Sequence, residues 1–398
     1  MITIANVILL LVAVSTGYQL ASVVCAWLFA RWRGSELAKP LPDDAILPPV
    51  TILKPLCGAV PETYDNLANT CALDYPRLQI VFGVADAADP AIAIVKRLRR
   101  DFPEVDIELV VSDRRIGTNA KVSNLENMLQ RAKHDVLVIA DADIRADASY
   151  LKRVVPYLDE PNAGLVTCAY RAAFGTTLAH KLEALFINTD FAPMVTVARK
   201  WERQSYAFGA TICIKRSVLE EIGGFTAIAD HLADDYQMGN IAVGRGYVSV
   251  LAPVVVETVL DLDRLREVFD HQLRWARTYR ICRPGSYLAS MVTHTTLWAT
   301  VYLLATRFAG WEVFATAVGL RTVIGGMIAS RVFGVQRIWR HVWLVPFKDL
   351  FISTIFVLAY LGDTVRWGGI EFEVARDGRM RPLPEEDAAD VAAAGKPA

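Results

Sequence analysis

Residues Asp135 to Asp143 read D-V-L-V-I-A-D-A-D, a short apolar run that ends in two carboxylates one residue apart. A run of this length, rich in β-branched residues and bounded by polar ones, predicts a strand buried on both faces. Three upstream stretches repeat the pattern: V-T-I-L-K-P-L from Val50 to Leu56, L-Q-I-V-F-G-V-A-D from Leu78 to Asp86, and I-E-L-V-V-S-D from Ile107 to Asp113. Between them PETYDNLANTCAL, DPAIAIVKRLRRDF and NAKVSNLENMLQRA carry the apolar spacing of crossover helices. Strand and helix in alternation predict an α/β domain, a parallel sheet with helices on both faces.

In such sheets ligands bind beyond the carboxyl ends of the strands. Those ends are Lys54-Pro55, Asp86, Asp113 and Asp141-Ala142-Asp143, so three of four deliver a carboxylate to one edge. Neither G-x-G-x-x-G nor a P-loop is present, so no glycine-rich helix start is there to hold phosphates. Two carboxylates at a strand end can instead hold a hard divalent cation that bridges a diphosphate. The competing reading makes D-A-D the cap of a helix over Ala148 to Val155.

The chain has 398 residues, 53% of them hydrophobic, with a formal charge of −1, and its mean hydropathy is +0.29. Those values place part of it in lipid and exclude a general electrostatic grip on nucleic acid. The six cysteines have no C-x-x-C spacing, which points to a reducing compartment rather than a disulfide framework or a thiolate metal site. From Met1 to Ala30 there is no charged side chain, and Arg31 and Arg33 follow. Residues 1–30 therefore read as a transmembrane anchor. They lack the basic start of a cleaved signal peptide, and the basic flank puts the rest in the cytoplasm.

Residues 48–284 read as one soluble domain, and residues 286–362 as a membrane block of three segments: Tyr287 to Thr306, Val313 to Ala329 and Val342 to Leu361. The first reads as a plain span. Arg321 interrupts the second, and Lys348 with Asp349 the third; such charges are costly in lipid unless paired or facing protein, which allows the last segment to be re-entrant or interfacial. Arg331, Arg337 and Arg340 mark the cytoplasmic turn of a hairpin, and residues 376–398 form a polar, Ala-rich tail expected to be disordered.

Two later motifs carry charge. DHLADDYQMG sets Asp234 and Asp235 before a helix, and HQLRWARTYR puts His271, Arg274, Trp275 and Thr278 on one helical face. Alone, each has a plain explanation: an acidic first turn favoured by the helix dipole, and a basic helix on a membrane surface.

Taken in order, Asp86, the Asp141/Asp143 pair, Asp235 and the Arg274-Trp275 helix resemble the family-2-type inverting glycosyltransferases, with three separated aspartates followed by (Q/R)-x-x-R-W. The chain is closer to the ceramide glucosyltransferases and above all to the bacterial hopanoid-associated glycosyltransferases, through LKPLCGA, LDYP, FGVADAADPA, GTNAKVSNL, ADADIR, FGATI, LADDYQMG and HQLRWART. It departs from the pattern at His271, where the wider family has Gln or Arg and Gln272 is out of register, and at Asp143, where the animal ceramide enzymes lack a carboxylate.

The resemblance implies the GT-A nucleotide-sugar fold with an N-terminal anchor and a C-terminal membrane block. It implies Asp235 as the base, Asp141 with Asp143 holding Mg²⁺ or Mn²⁺ on the diphosphate, and Asp86 beside the nucleoside. Lys121 would add charge at the phosphates, and His271, Arg274 and Trp275 would line the diphosphate and acceptor entrance. The function it implies is a multi-pass protein of the bacterial inner membrane, moving one sugar from a UDP-sugar to a lipid hydroxyl with inversion. N-acetylglucosamine on a bacteriohopanetetrol-type hopanoid is the main expectation, and glucose on ceramide the alternative. A non-catalytic lipid-binding scaffold is the remote rival, and a processive polysaccharide synthase is disfavoured by too few spans for a channel.

Overall fold

The computed structural model describes residues 4–259 and 262–383. It opens with helix α1 (Ile4–Leu37), followed by β1 (Val50–Pro55), α2 (Thr63–Cys71), β2 (Leu78–Val84), α3 (Ala91–Asp101), β3 (Asp106–Val111), α4 (Ala120–Leu129) and β4 (Val136–Ile139). Each strand and crossover helix read from the sequence is thus present. The period-two alternation within the strands explains the sandwich. Ile52, Ile80, Phe82 and Val138 pack into a core with Leu67 and Val95. Their neighbours Leu53, Val81 and Leu137 pack with Val122, Leu125 and Met128 of α4 on the other face.

The chain continues through β5 (Ile144–Arg145), α5 (Tyr150–Val154), β6 (Ala163–Ala172), α6 (Leu178–Phe186), a π-helical turn (Ile187–Phe191), α7 (Ala192–Trp201), β7 (Ile212–Lys215), α8 (Arg216–Glu221), α9 (Asp234–Gly244) and β8 (Val248–Thr258). The sheet order is β3-β2-β1-β4-β7-β6-β8-β5. Here the expectation of a parallel sheet needs correcting. β1 to β4 are parallel, but β7 lies antiparallel between β4 and β6, because the chain returns from the α6–α7 excursion at the opposite end. The result is a mixed α/β sheet. The helix-cap reading of D-A-D also fails, since α5 begins at Tyr150 with Ser149 at its cap.

Beyond the sheet come α10 (Leu265–Cys282), α11 (Pro284–Ser290), α12 (Thr295–Ala305), α13 (Trp311–Arg331), α14 (Val345–Leu358) and a three-stranded antiparallel sheet of β9 (Thr364–Trp367), β10 (Ile370–Val374) and β11 (Met380–Pro382). Three stretches, Ile4–Leu37, Trp311–Arg331 and Val342–Leu361, are long and apolar enough to cross a membrane. The segment expected as a plain span from Tyr287 is instead a pair of helices bent by 53°. At the break the Trp298 indole donates to Met291 O (2.9 Å), and His294 Nδ1 meets Ser353 Oγ (2.8 Å).

The intramembrane charges are paired. Arg321 donates to Asp349 (3.1 Å) and to Asp190 of the π-helical turn, and Lys348 pairs with Asp349 (2.6 Å) and with Asp190. Pairing therefore offsets the cost of burying these charges among apolar helices. The polar tail expected from 376 onward also begins differently: Met380–Pro382 is a strand on β10, and Met380 N donates to Asp230 O (2.7 Å). The rest of that stretch, residues 384–398, lies outside the described residues.

Candidate active site

Three loops converge at the carboxyl edge of β4. In the first, Asn119 caps α4 by accepting from Val122 N, which puts Lys121 in the first turn. The GTNAK loop is clamped from the side of Asp230: Thr118 donates to Asp230 Oδ1 through N (2.8 Å) and Oγ1 (3.0 Å), and Asn119 Nδ2 donates to His231 O (2.8 Å). Gly117 permits the approach, since a Cβ there would stand 2.6 Å from Ala229 O.

The clamp delivers Lys121 to the acidic residues. Its Nζ lies 2.7 Å from Asp141 Oδ1 and 3.1 Å from Asp234 Oδ2. Burial would lower the pKa of this ammonium, but Asp141, Asp234 and Asp235 more than reverse that and hold it above the ordinary value. Asp235, in the first turn of α9, accepts from Gly209 N (2.8 Å) and Tyr236 N (2.7 Å). Burial, reinforced by Asp234, raises its carboxyl from 3.8 to about 6. Gly209 forms the floor between the loops, for a Cβ there would be 2.9 Å from Asp141 Oδ2 and 3.4 Å from Asp235 Oδ2.

Asp143 turns to the other side, where it accepts from Thr258 Oγ1 of β8. Burial and the charge of Asp141 push its carboxyl up. Lys54, buried at the end of β1, donates to Asp141 O (2.7 Å), and burial lowers its ammonium to about 8. Among the described residues no three His, Cys, Asp or Glu side chains could hold a metal ion by themselves.

Helix α10 lies over this cluster. Arg274 is close enough to feel Glu183, Asp141, Asp234 and Asp235, yet burial lowers its pKa overall. Its guanidinium stands 5.8 Å from the Trp367 ring of β9. Trp275 packs against His271, ring centroids 4.8 Å apart. Asp86 is set apart: it is exposed and accepts from Ala88 N (2.8 Å) within its own turn.

Sequence reasoning missed Glu183. Fully buried on α6, its Oε1 meets both His271 Nδ1 and Gln272 Nε2 at 2.8 Å, while Oε2 has no hydrogen-bond partner among the described residues. One carboxylate thus binds both candidates for the Gln-or-Arg position. The available signal was a lone acid in the otherwise apolar stretch L-E-A-L-F at the end of α6. Glu183→Ala, which strands two donors, is expected to cost about 1–3 kcal/mol. Glu183→Gln, which keeps a carbonyl acceptor, should cost less; thermal unfolding in detergent checks both.

Residues 7–380 match the family model described as glycosyl transferase family 21. The chain belongs to that family. It is a glycosyltransferase, which removes the scaffold reading. Ceramide glucosyltransferase 3 of Caenorhabditis elegans is 22% identical over 90% of this chain and 79% of its own length. The ceramide glucosyltransferase of Candida albicans (strain SC5314 / ATCC MYA-2876) is 35% identical over a shorter stretch, 28% of this chain and 23% of its own. Among solved structures, the mannosyltransferase PcManGT from Pyrobaculum calidifontis, in complex with GDP-Man and Mn²⁺, superposes with a TM-score of 0.51 at 20% identity, covering 88% of this chain and 98% of its own. The mixed sheet of this glycosyltransferase is thus GT-A-like.

Proposed function

We propose that this glycosyltransferase moves one sugar, with inversion, from a UDP-sugar to a hydroxyl of a membrane lipid. It would work as a multi-pass protein of the bacterial inner membrane with its GT-A domain (48–284) in the cytoplasm. The observation that carries this reading is the cluster itself: Lys121 already bridges Asp141 and Asp234, and Arg274 stands beside them without an ion pair among the described residues. Two cations thus stand ready for a diphosphate leaving group.

In this reading Asp235 takes the proton of the incoming hydroxyl. Its raised carboxyl suits a general base near neutral pH. Lys121, Arg274 and Trp275 hold and cover the diphosphate, His271 and Glu183 orient α10, and Asp86 contacts the nucleoside from its separate turn. Asp141 and Asp143 fit a hard divalent cation, Mg²⁺ or Mn²⁺: both are oxygen donors, and burial, reinforced by the charge of Asp141, raises the carboxyl of Asp143. When bound there, such a cation would supply charge neutralisation for a departing diphosphate.

The quoted motif likeness supports N-acetylglucosamine on a bacteriohopanetetrol-type hopanoid. Similarity to ceramide glucosyltransferases over most of the chain supports glucose on ceramide as the second reading. The test is purified protein in micelles, given UDP-N-acetylglucosamine or UDP-glucose with each lipid, and product read by mass spectrometry. Only one pairing is expected to give glycolipid, and no glycolipid with either would overturn the lipid-acceptor reading. In the same assay, excess chelator is expected to abolish transfer, Mg²⁺ or Mn²⁺ to restore it, and Asp141→Asn to hurt more than Asp143→Asn.

Orientation has its own check. A reporter fused near Ser123 is expected to register cytoplasm, and one fused before Ile4 the outside. A periplasmic signal at Ser123 would remove the enzyme from its donor.

A further inference from the structure

The seventeen residues from Arg331 to Phe347 run from the last residue of α13 to the first turn of α14 and contain no acidic side chain. Ile338, Leu344 and Val345 turn inward and are buried. Arg331, Arg337 and Arg340 are exposed, and so are Trp339 (52%), Trp343 (63%) and Phe347 (65%). The three guanidinium groups make no ion pair or hydrogen bond among the described residues. Arg337 also takes a φ of 60°, a left-handed conformation that arginine rarely adopts.

The level of this segment along the membrane helices is set from both sides. Arg171 of β6 donates to Phe333 O (2.9 Å) and Gly334 O (3.2 Å), which ties the segment to the catalytic sheet. Arg33 of α1 donates to Val332 O (3.2 Å) and Pro253 O (2.9 Å), and two residues earlier Arg31 lies over the Trp27 ring at 4.8 Å. The segment therefore sits where the membrane helices meet the catalytic domain, with aromatic and cationic side chains interleaved on its free side. Rings of this kind favour the headgroup level of a bilayer, and unpaired arginines beside them complement anionic headgroups.

We propose that residues 331–347 form a docking surface for anionic phospholipid of the surrounding bilayer. The aromatic side chains enter the interface, and Arg331, Arg337 and Arg340 engage headgroup phosphates. This seats the catalytic domain against the membrane from which its acceptor must come. Uncompensated positive charge selects the anionic lipid over a zwitterionic one.

The test uses the full chain in neutral detergent, offered phosphatidylglycerol or phosphatidylcholine, with retained lipid counted by native mass spectrometry. At low salt the protein is expected to prefer phosphatidylglycerol by about a hundredfold, shrinking as salt rises. R331Q/R337Q/R340Q should bind the two lipids alike, whereas W339A/W343A should lose some of both and keep the preference. Equal retention of both lipids by the unmodified protein, an undiminished preference in the arginine variant, or displacement of phosphatidylglycerol by millimolar inorganic phosphate would each overturn the proposal. The comparison of lipids on the unmodified protein does not depend on any variant folding.

Discussion

Asp235→Asn is expected to lower transfer by ~10² to 10⁴ while leaving donor binding and membrane insertion intact. The two carboxylates of the D-D pair face different partners: Asp234 is ion-paired to Lys121, whereas among the described residues Asp235 accepts from the backbone N–H groups of Gly209 and Tyr236. A base tied to an ammonium is a poor base, so Asp234→Asn should act mainly through donor or metal binding and cost much less. Because Asp235 must be ionised to accept a proton, and burial lifts its carboxyl to about 6, kcat/KM should fall as pH drops through about 6. The stability effect has the opposite sense. The folded-state value lies above 3.8, so the folded form holds its proton more tightly and loses stability as pH rises from about 4 through about 6. At neutral pH Asp235→Asn should therefore unfold at a higher temperature than the parent. UDP release, glycolipid formation, donor binding and thermal unfolding, measured together on both variants, check this. Near-normal turnover in Asp235→Asn would remove it as the base and reopen the choice between Asp234 and His231.

Asp349→Ala is expected to destabilise the protein by about 3–5 kcal/mol, the largest stability effect anticipated here. Asp349 accepts from Arg321 (3.1 Å), Lys348 (2.6 Å) and Thr296 Oγ1, and both cations are almost wholly buried. Without it, Arg321 and Lys348 share one carboxylate among the described residues, Asp190, beside the neutral oxygens of Thr189. Replacing Lys348 and Asp349 together by Met and Leu removes one charge of each sign and leaves the Arg321–Asp190 pair, so the double variant should lose much less than Asp349→Ala. Thermal unfolding and yield of inserted protein distinguish the two outcomes, and equal losses would mean that packing at these positions matters more than charge balance.

The architecture of the first half was legible because its signals are local. The apolar runs ending at Lys54, Asp86, Asp113 and Asp141 each specify a buried strand by composition over a few residues, and the helical spacing between them specifies crossovers. Membrane length is likewise local, so α1 and the stretches containing Arg321 and Lys348 could be read as costly or plausible spans. The order of Asp86, Asp141, Asp235 and Arg274 was enough to suggest a glycosyltransferase.

Partner choice was decided by tertiary structure. Strand β7 entered the sheet antiparallel because of where the α6–α7 excursion returned it, which no pattern within Ile212–Lys215 encodes. Glu183 met His271 and Gln272 from 88 and 89 residues away, and Asp190 met Arg321 and Lys348 from 131 and 158 away. Met380–Pro382 became a strand because Phe372 and Val374 of β10 offered an apolar edge, closed against Leu232 beside the site. The sequence by itself determined which residues are apolar, acidic or cationic, and at what period. Only the folded chain decided which buried charge faces which, because the energy of a buried ion pair depends on a distance that residues far apart in sequence acquire only once the elements between them have packed.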